Sequence, residues 1–131
     1  MSEEQNIAAV TKIYEAFGKG DIPYIIDQLT DDVRWFSHVD AVAPTSGDWS
    51  GKAKVPGFFQ AIVATGEVTA FVPTEFVAQG DTVVSTGDFG FVAAKTGKSV
   101  NSKWIFIWKF RGGKVCSYEQ FHDGALANAF R

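Results

Sequence analysis

The sequence predicts an α+β fold, with N-terminal helices packed in the concave face of a strongly curved antiparallel sheet. Three observations predict it. Ile7, Val10, Tyr14 and Phe17 recur at three- and four-residue steps, one face of a helix. From Glu67 onward the chain reads only as strands and turns. Within that half, "KWIFIWKF" sets Trp104, Phe106, Trp108 and Phe110 on every second position, so a strand there has one face made of rings.

Each element follows in order. Ser2 is placed to cap the first helix, with acids in its first turn, and Gly18 and Gly20 stop it. Asp21 caps a second helix with Pro23 in its first turn; Ile22, Ile25, Ile26 and Leu29 form its stripe, and "TDD" ends it. "VRWFSHV" alternates as a short strand with Val33, Trp35 and Ser37 on one face. "DAVAPTSGDWSG" is a loop by composition. A third helix carries Val55, Phe58, Phe59 and Ile62 on one side. Strands then run over about 68–79, 82–94, 99–111 and 114–123, joined by "QGD", "KTGK" and "RGG", the turn signals of consecutive hairpins. A short helix begins at Gly124. No linker or repeat interrupts residues 1–131, which read as a single domain.

Composition excludes several classes. A formal charge of −3 with no basic cluster argues against nucleic acid or an anionic membrane as partner. One cysteine, Cys116, allows no internal disulfide. No apolar run reaches membrane-spanning length, and "MSEEQNIAAV" lacks the basic start and apolar run of a signal peptide, so a cytoplasmic location is expected. Two histidines and scattered acids form no metal-ligand spacing; no metal and no cofactor are expected. There is no phosphate loop, nucleophile elbow or Cys–His motif.

"VTKIYEAFGKGDIPYIIDQLTDDVRW", "DWSGKAKVPGFFQAI" and "WKFRGGKVCSYEQFHDGALANAF" together resemble the SnoaL-like and ketosteroid-isomerase-like proteins of the nuclear-transport-factor-two-like superfamily, in order over nearly the whole chain. The resemblance implies a cone-shaped half-barrel whose open end admits an apolar ligand. Tyr14 matches the tyrosine of the isomerase oxyanion hole, which works there beside a protonated aspartic acid. That acid aligns with Phe106, and the general-base aspartate with Ser37. A serine hydroxyl cannot take a proton from carbon without a partner base, so steroid isomerisation of that kind is not expected.

The same alignment turns Trp104, Phe106 and Trp108 inward, with Cys116, Tyr118, Gln120 and His122 on the last strand and Thr86, Asp88, Gly90 and Val92 on the strand before the rings. Asp88, His122 and Tyr14 are then the candidate catalytic groups, a carboxylate and imidazole as base and orienter. Phe17, Trp35, Ser37, His38, Phe59, Trp104, Phe106, Trp108, Tyr118 and Gln120 are the candidate ligand-binding residues. A one-residue slip would send Asp88 to solvent and bring Phe89 and Phe91 inside. Asp123 matches an aspartate common in the family and equally suits a helix cap. Two readings follow: a small acid–base enzyme of isomerase, cyclase or hydrolase type acting on a hydrophobic small molecule, or a non-catalytic ligand-binding or dimerisation module. The Ile105 and Ile107 face opposite the rings needs a cover, and the family's habit of pairing through sheet backs implies a homodimer.

Overall fold

Ser2 opens the first helix as its sequence predicts. Its hydroxyl accepts from the Gln5 N–H while the Gln5 side chain accepts from the Ser2 N–H. In the computed structural model, which describes residues 2–131, helix α1 spans Glu3–Lys19 and ends where Gly20 takes φ 73°, the left-handed cap that glycine adopts without strain. Asp21 caps α2, Ile22–Asp27. This helix is shorter than its apolar stripe suggests. Leu29 does not extend it but opens strand β1, Leu29–His38, paired with Val115. Long-range pairing has overridden helical spacing there.

A two-residue strand β2, Gly47–Asp48, lies inside the predicted loop and pairs with the end of β1. Helix α3 spans Val55–Thr65. Strands β3 (Gly66–Gln79), β4 (Thr82–Ala93), β5 (Ser99–Arg111) and β6 (Lys114–His122) follow, and α4, Gly124–Asn128, comes last. The sheet order is β2-β1-β6-β5-β4-β3. Its curve is helped by register breaks in the β1–β6, β3–β4 and β5–β6 ladders, and it does not close, because β2 and β3 each have one neighbour. The curved antiparallel sheet expected is present through β3–β6, and β1 joins it parallel to β6, which makes the whole sheet mixed. Turn residues announce the hairpins from β3 to β6, but no local signal links two strands so far apart in sequence.

The helices fill the concave side. Val10, Ile13 and Tyr14 of α1, Ile25 of α2, and Val55, Phe58 and Phe59 of α3 share one core with Trp35, Val83, Trp104, Phe106, Trp108 and Tyr118 of the sheet. On β4 the inward residues are Val83, Ser85, Gly87, Phe89 and Phe91, one position off the alignment-based expectation of Thr86, Asp88, Gly90 and Val92. On β6 a register break at Lys109/Phe110 seats Val115 inside in place of Cys116, which is half-buried. No helix among the described residues is long and apolar enough to cross a membrane.

Candidate functional site

Between the helices and the inner faces of β4–β6 lies a hollow of about 70 Å³. Its wall is mostly rings: Phe17, Trp35, Phe59, Phe106, Trp108 and Tyr118, all expected there, Phe89 and Phe91, which the one-residue slip brings inside, and Phe58, Phe71 and Phe130, outside the expected lining. Tyr14, Gln120 and His122 also line it. The space suits roughly five to seven waters, or a single six-membered ring, and is smaller than the usual ~300–1,000 Å³ of small-molecule sites. A wider groove of about 790 Å³ runs outside, between α1, α3 and β3. Tyr14, Phe17, Phe59, Ile62 and Phe71 line both. Phe17 stands 5.1 Å from Phe71 and 6.1 Å from Phe59, centroid to centroid, so these three rings form the partition.

The polar groups among the rings fall into three sets. Tyr14 Oη accepts from the Trp108 indole N–H at 2.8 Å and shares a short hydrogen bond with the Ser85 hydroxyl. Burial pushes the Tyr14 phenol well up, against the lowering effect of those two partners, so it stays protonated. Tyr118 donates to Gln120 Oε1 at 2.6 Å, and Gln120 Nε2 donates to Ser37 Oγ at 2.8 Å; burial likewise raises the Tyr118 phenol. The third set is His122 with two neighbours that follow its strand register. Its Nδ1 lies 3.1 Å from Ser102 Oγ, and that hydroxyl donates to Asp123 Oδ1 at 3.0 Å. No described residue bonds His122 Nε2. Burial lowers the His122 pKa to about 4, with Asp123 opposing, so the ring is neutral at pH 7. Partial burial pushes the Asp123 carboxyl up, but hydrogen bonds from the Lys103 and Ala125 N–H groups and Ser102, with His122 adding to them, hold it below the usual range. Trp35 Nε1–H, buried at the wall of the hollow, has no acceptor among the described residues, and neither has Trp104 Nε1–H.

Four expected site residues lie elsewhere. Asp88 sits on the outer face, its side chain 46% exposed, ion-paired with Lys103 at 2.8 Å. The cause is the β4–β5 register: Gly87, not Asp88, faces inward beside Trp104. His38 follows inward Ser37 and so points outward, bonded to Glu119 at 2.9 Å and stacked 4.4 Å from the Phe121 ring. Ser37 is buried behind Gln120 and lines neither space; Trp104 packs flat on Phe71 and Phe106, also behind the wall. Asp123 caps α4 and reaches His122 only through Ser102, a residue sequence reasoning passed over. The parity of "NSKWIFIW" held the signal, since Ser102 shares the face of Trp104 and Phe106. No cluster of three metal-ligating side chains occurs among the described residues.

A family model described as a SnoaL-like domain matches residues 10–118. No curated protein matches the sequence. Among solved structures, an NTF2-like protein from Burkholderia xenovorans LB400 is similar over 100% of this chain and 99% of its own, with 28% identity and a TM-score of 0.88. An NTF2-like protein from Burkholderia pseudomallei K96243 is 28% identical over 96% of this chain and 95% of its own, with a TM-score of 0.83. TerC, co-crystallised with polyporic acid, is 24% identical over 96% of this chain and 98% of its own, with a TM-score of 0.82; that likeness is one of fold.

Proposed function

The chain belongs to the SnoaL-like domain family, and on that footing we propose that it holds a compact, mainly apolar small molecule inside the cone and exchanges a proton with it through His122. One observation carries this reading: His122 is a neutral imidazole at the wall of the hollow, with Nδ1 engaged and Nε2 unbonded. Such a nitrogen can take a proton from an O–H or from carbon beside a carbonyl. A pKa of about 4 makes the free ring a weak base. An anion forming beside it raises its proton affinity, which couples the transfer to charge on the ligand.

Two groups are suited to that charge. The orphaned Trp35 N–H costs on the order of 1–3 kcal/mol as it stands, and a ligand oxygen would relieve it as negative charge develops. Tyr14 and Ser85 hold two hydroxyl protons between them, and their mutual bond uses one. With Ser85 as the donor in that bond, Tyr14, which lines the hollow and also accepts from Trp108, keeps its own O–H for a ligand oxygen.

The second reading, ligand binding without catalysis, is favoured by the absence of any carboxylate in the lining among the described residues. The test of the pocket is binding. Tryptophan emission and thermal unfolding, measured against the single-ring probes phenol, cyclohexanone and 2-cyclohexenone, should show a saturable emission change and a raised Tm. No change across the panel would contradict the proposal. Binding without any proton exchange on the ketones would leave the non-catalytic reading.

A further inference from the structure

Resting on that reading of His122, we propose that Ser102 and Asp123 are positioning residues that lock His122 as its Nδ1–H tautomer, so that Nε2 faces the hollow as a permanent acceptor for a proton-donating ring, a phenol or an enol. The reasoning is a proton count. Ser102 Oγ carries one proton and has three partners: Asp123 Oδ1 at 3.0 Å, His122 Nδ1 at 3.1 Å and the Lys103 carbonyl at 3.4 Å. An ionised carboxylate is the strongest acceptor of the three and the nearest. It can only accept, so the hydroxyl proton goes to Asp123. The Ser102 oxygen then meets His122 with a lone pair, and Nδ1 must supply the hydrogen. Which ring nitrogen carries the proton is set by the bond the other partner makes, and here that leaves Nε2 with its lone pair.

Asp123 is itself held. Its Oδ2 accepts from the Lys103 N–H at 3.1 Å and its Oδ1 from the Ala125 N–H at 3.0 Å, at the cap of α4. Ser102 is 2% exposed on the inner row of β5, beyond Trp104, the residue paired with His122. The carboxylate thus acts from outside the hollow through one hydroxyl. A proton passing from a ligand O–H to Nε2 would leave a ligand oxyanion and an imidazolium, with Nδ1–H still bonded to Ser102 and Asp123 still ionised.

The experiment is 15N NMR of the imidazole nitrogens at pH 7, which is simple because the chain has two histidines. His122→Gln assigns the signals. The wild type should show His122 protonated at Nδ1 and bare at Nε2. Ser102→Ala and Asp123→Ala should reverse or mix the tautomers, the second by freeing the hydroxyl proton for Nδ1. Ser102→Thr, which keeps the hydroxyl, and Asp123→Asn, which keeps an acceptor and the cap, should preserve it. A merely structural pair would not sort the four variants this way. A wild type protonated at Nε2, or a Ser102→Ala ring unchanged, overturns the relay. Phenol, but not benzene, should shift the Nε2 resonance, with a dissociation constant about tenfold weaker in Ser102→Ala, the loss of about one hydrogen bond. Benzene binding as tightly as phenol overturns the ligand class. Neither compound binding overturns it too, and sinks the pocket reading beneath it, while the tautomer result is read independently.

Discussion

At the scale of single residues, burial and bonding decide each role. His122 has its pKa lowered from 6.5 to about 4, first by desolvation. The unfolded chain therefore binds this proton at a higher pH than the folded one. The stability His122 contributes is complete above about pH 6.5 and is lost as pH falls towards 4, on the order of 3 kcal/mol in all. Urea titrations should show the wild type losing about 3 kcal/mol more than His122→Gln between pH 7 and pH 4, the variant's profile being flatter. Tyr14→Phe should destabilise by about 2–3 kcal/mol, because Trp108 Nε1–H and Ser85 would both be left buried without their partner; equilibrium denaturation checks it. Much of this was legible. A phenol on a helix face is readable from spacing, the family alignment turns His122 inward, and both line the hollow. The partner of His122 was not. Asp88 has the right chemistry and the wrong parity, whereas Asp123 acts across a hydroxyl whose importance emerges only when β5 and the start of α4 meet.

At the scale of elements, turn chemistry was readable and register only partly so. Gly80, Gly97 and Gly112, one in each predicted hairpin, take positive φ as those turns require. Counting back from the last of these pairings, Val92 opposite Ser99, sets Gly87 opposite Trp104. That places Asp88 outside, and closing the predicted strands across KTGK, residue 94 opposite 99, gives the same parity. The alternation of β4 could not choose by itself, since Val83, Phe89 and Phe91 lie on one parity and Val84 and Val92 on the other. Gly87 gives the register a testable consequence. A Cβ there would collide with the Trp104 ring and the Val72 carbonyl. Gly87→Ala should cost about 3 kcal/mol or more, by overpacking, while Asp88→Ala on the exposed face should cost about 0.5 kcal/mol or less. Thermal unfolding of the two neighbours separates them; equal effects would contradict the register.

At the scale of the whole molecule, the curved sheet has an inner face rich in rings and an outer face that exposes apolar side chains among charged ones. Val72, Val77 and Ile105 are 50%, 64% and 46% exposed there, and half-buried Phe36, Ile107 and Phe121 lie on the same side. We predict a homodimer through this face. Sedimentation should give a dimer at micromolar concentration, and Ile105→Lys with Ile107→Glu should dissociate it; a monomeric wild type sinks the idea. The parallel β1–β6 pair was beyond reach of the sequence, since it joins strands by tertiary contact alone. It matters for the interior, because it brings Trp35, with its orphaned N–H, to 4.1 Å from the Tyr118 ring on the strand that carries His122. The account's central claim is that this interior exchanges protons with its ligand through His122. Loss of the α-proton signal of saturating cyclohexanone, a single-ring ketone of the size the hollow suits, in D2O at neutral pD, followed by NMR, tests it most directly. The wild type should accelerate exchange at least ~10²-fold over buffer, the contribution of a positioned base, and His122→Gln should return it to the buffer rate. A wild type that binds the ketone yet exchanges no faster than buffer, or a His122→Gln variant as fast as wild type, would contradict it.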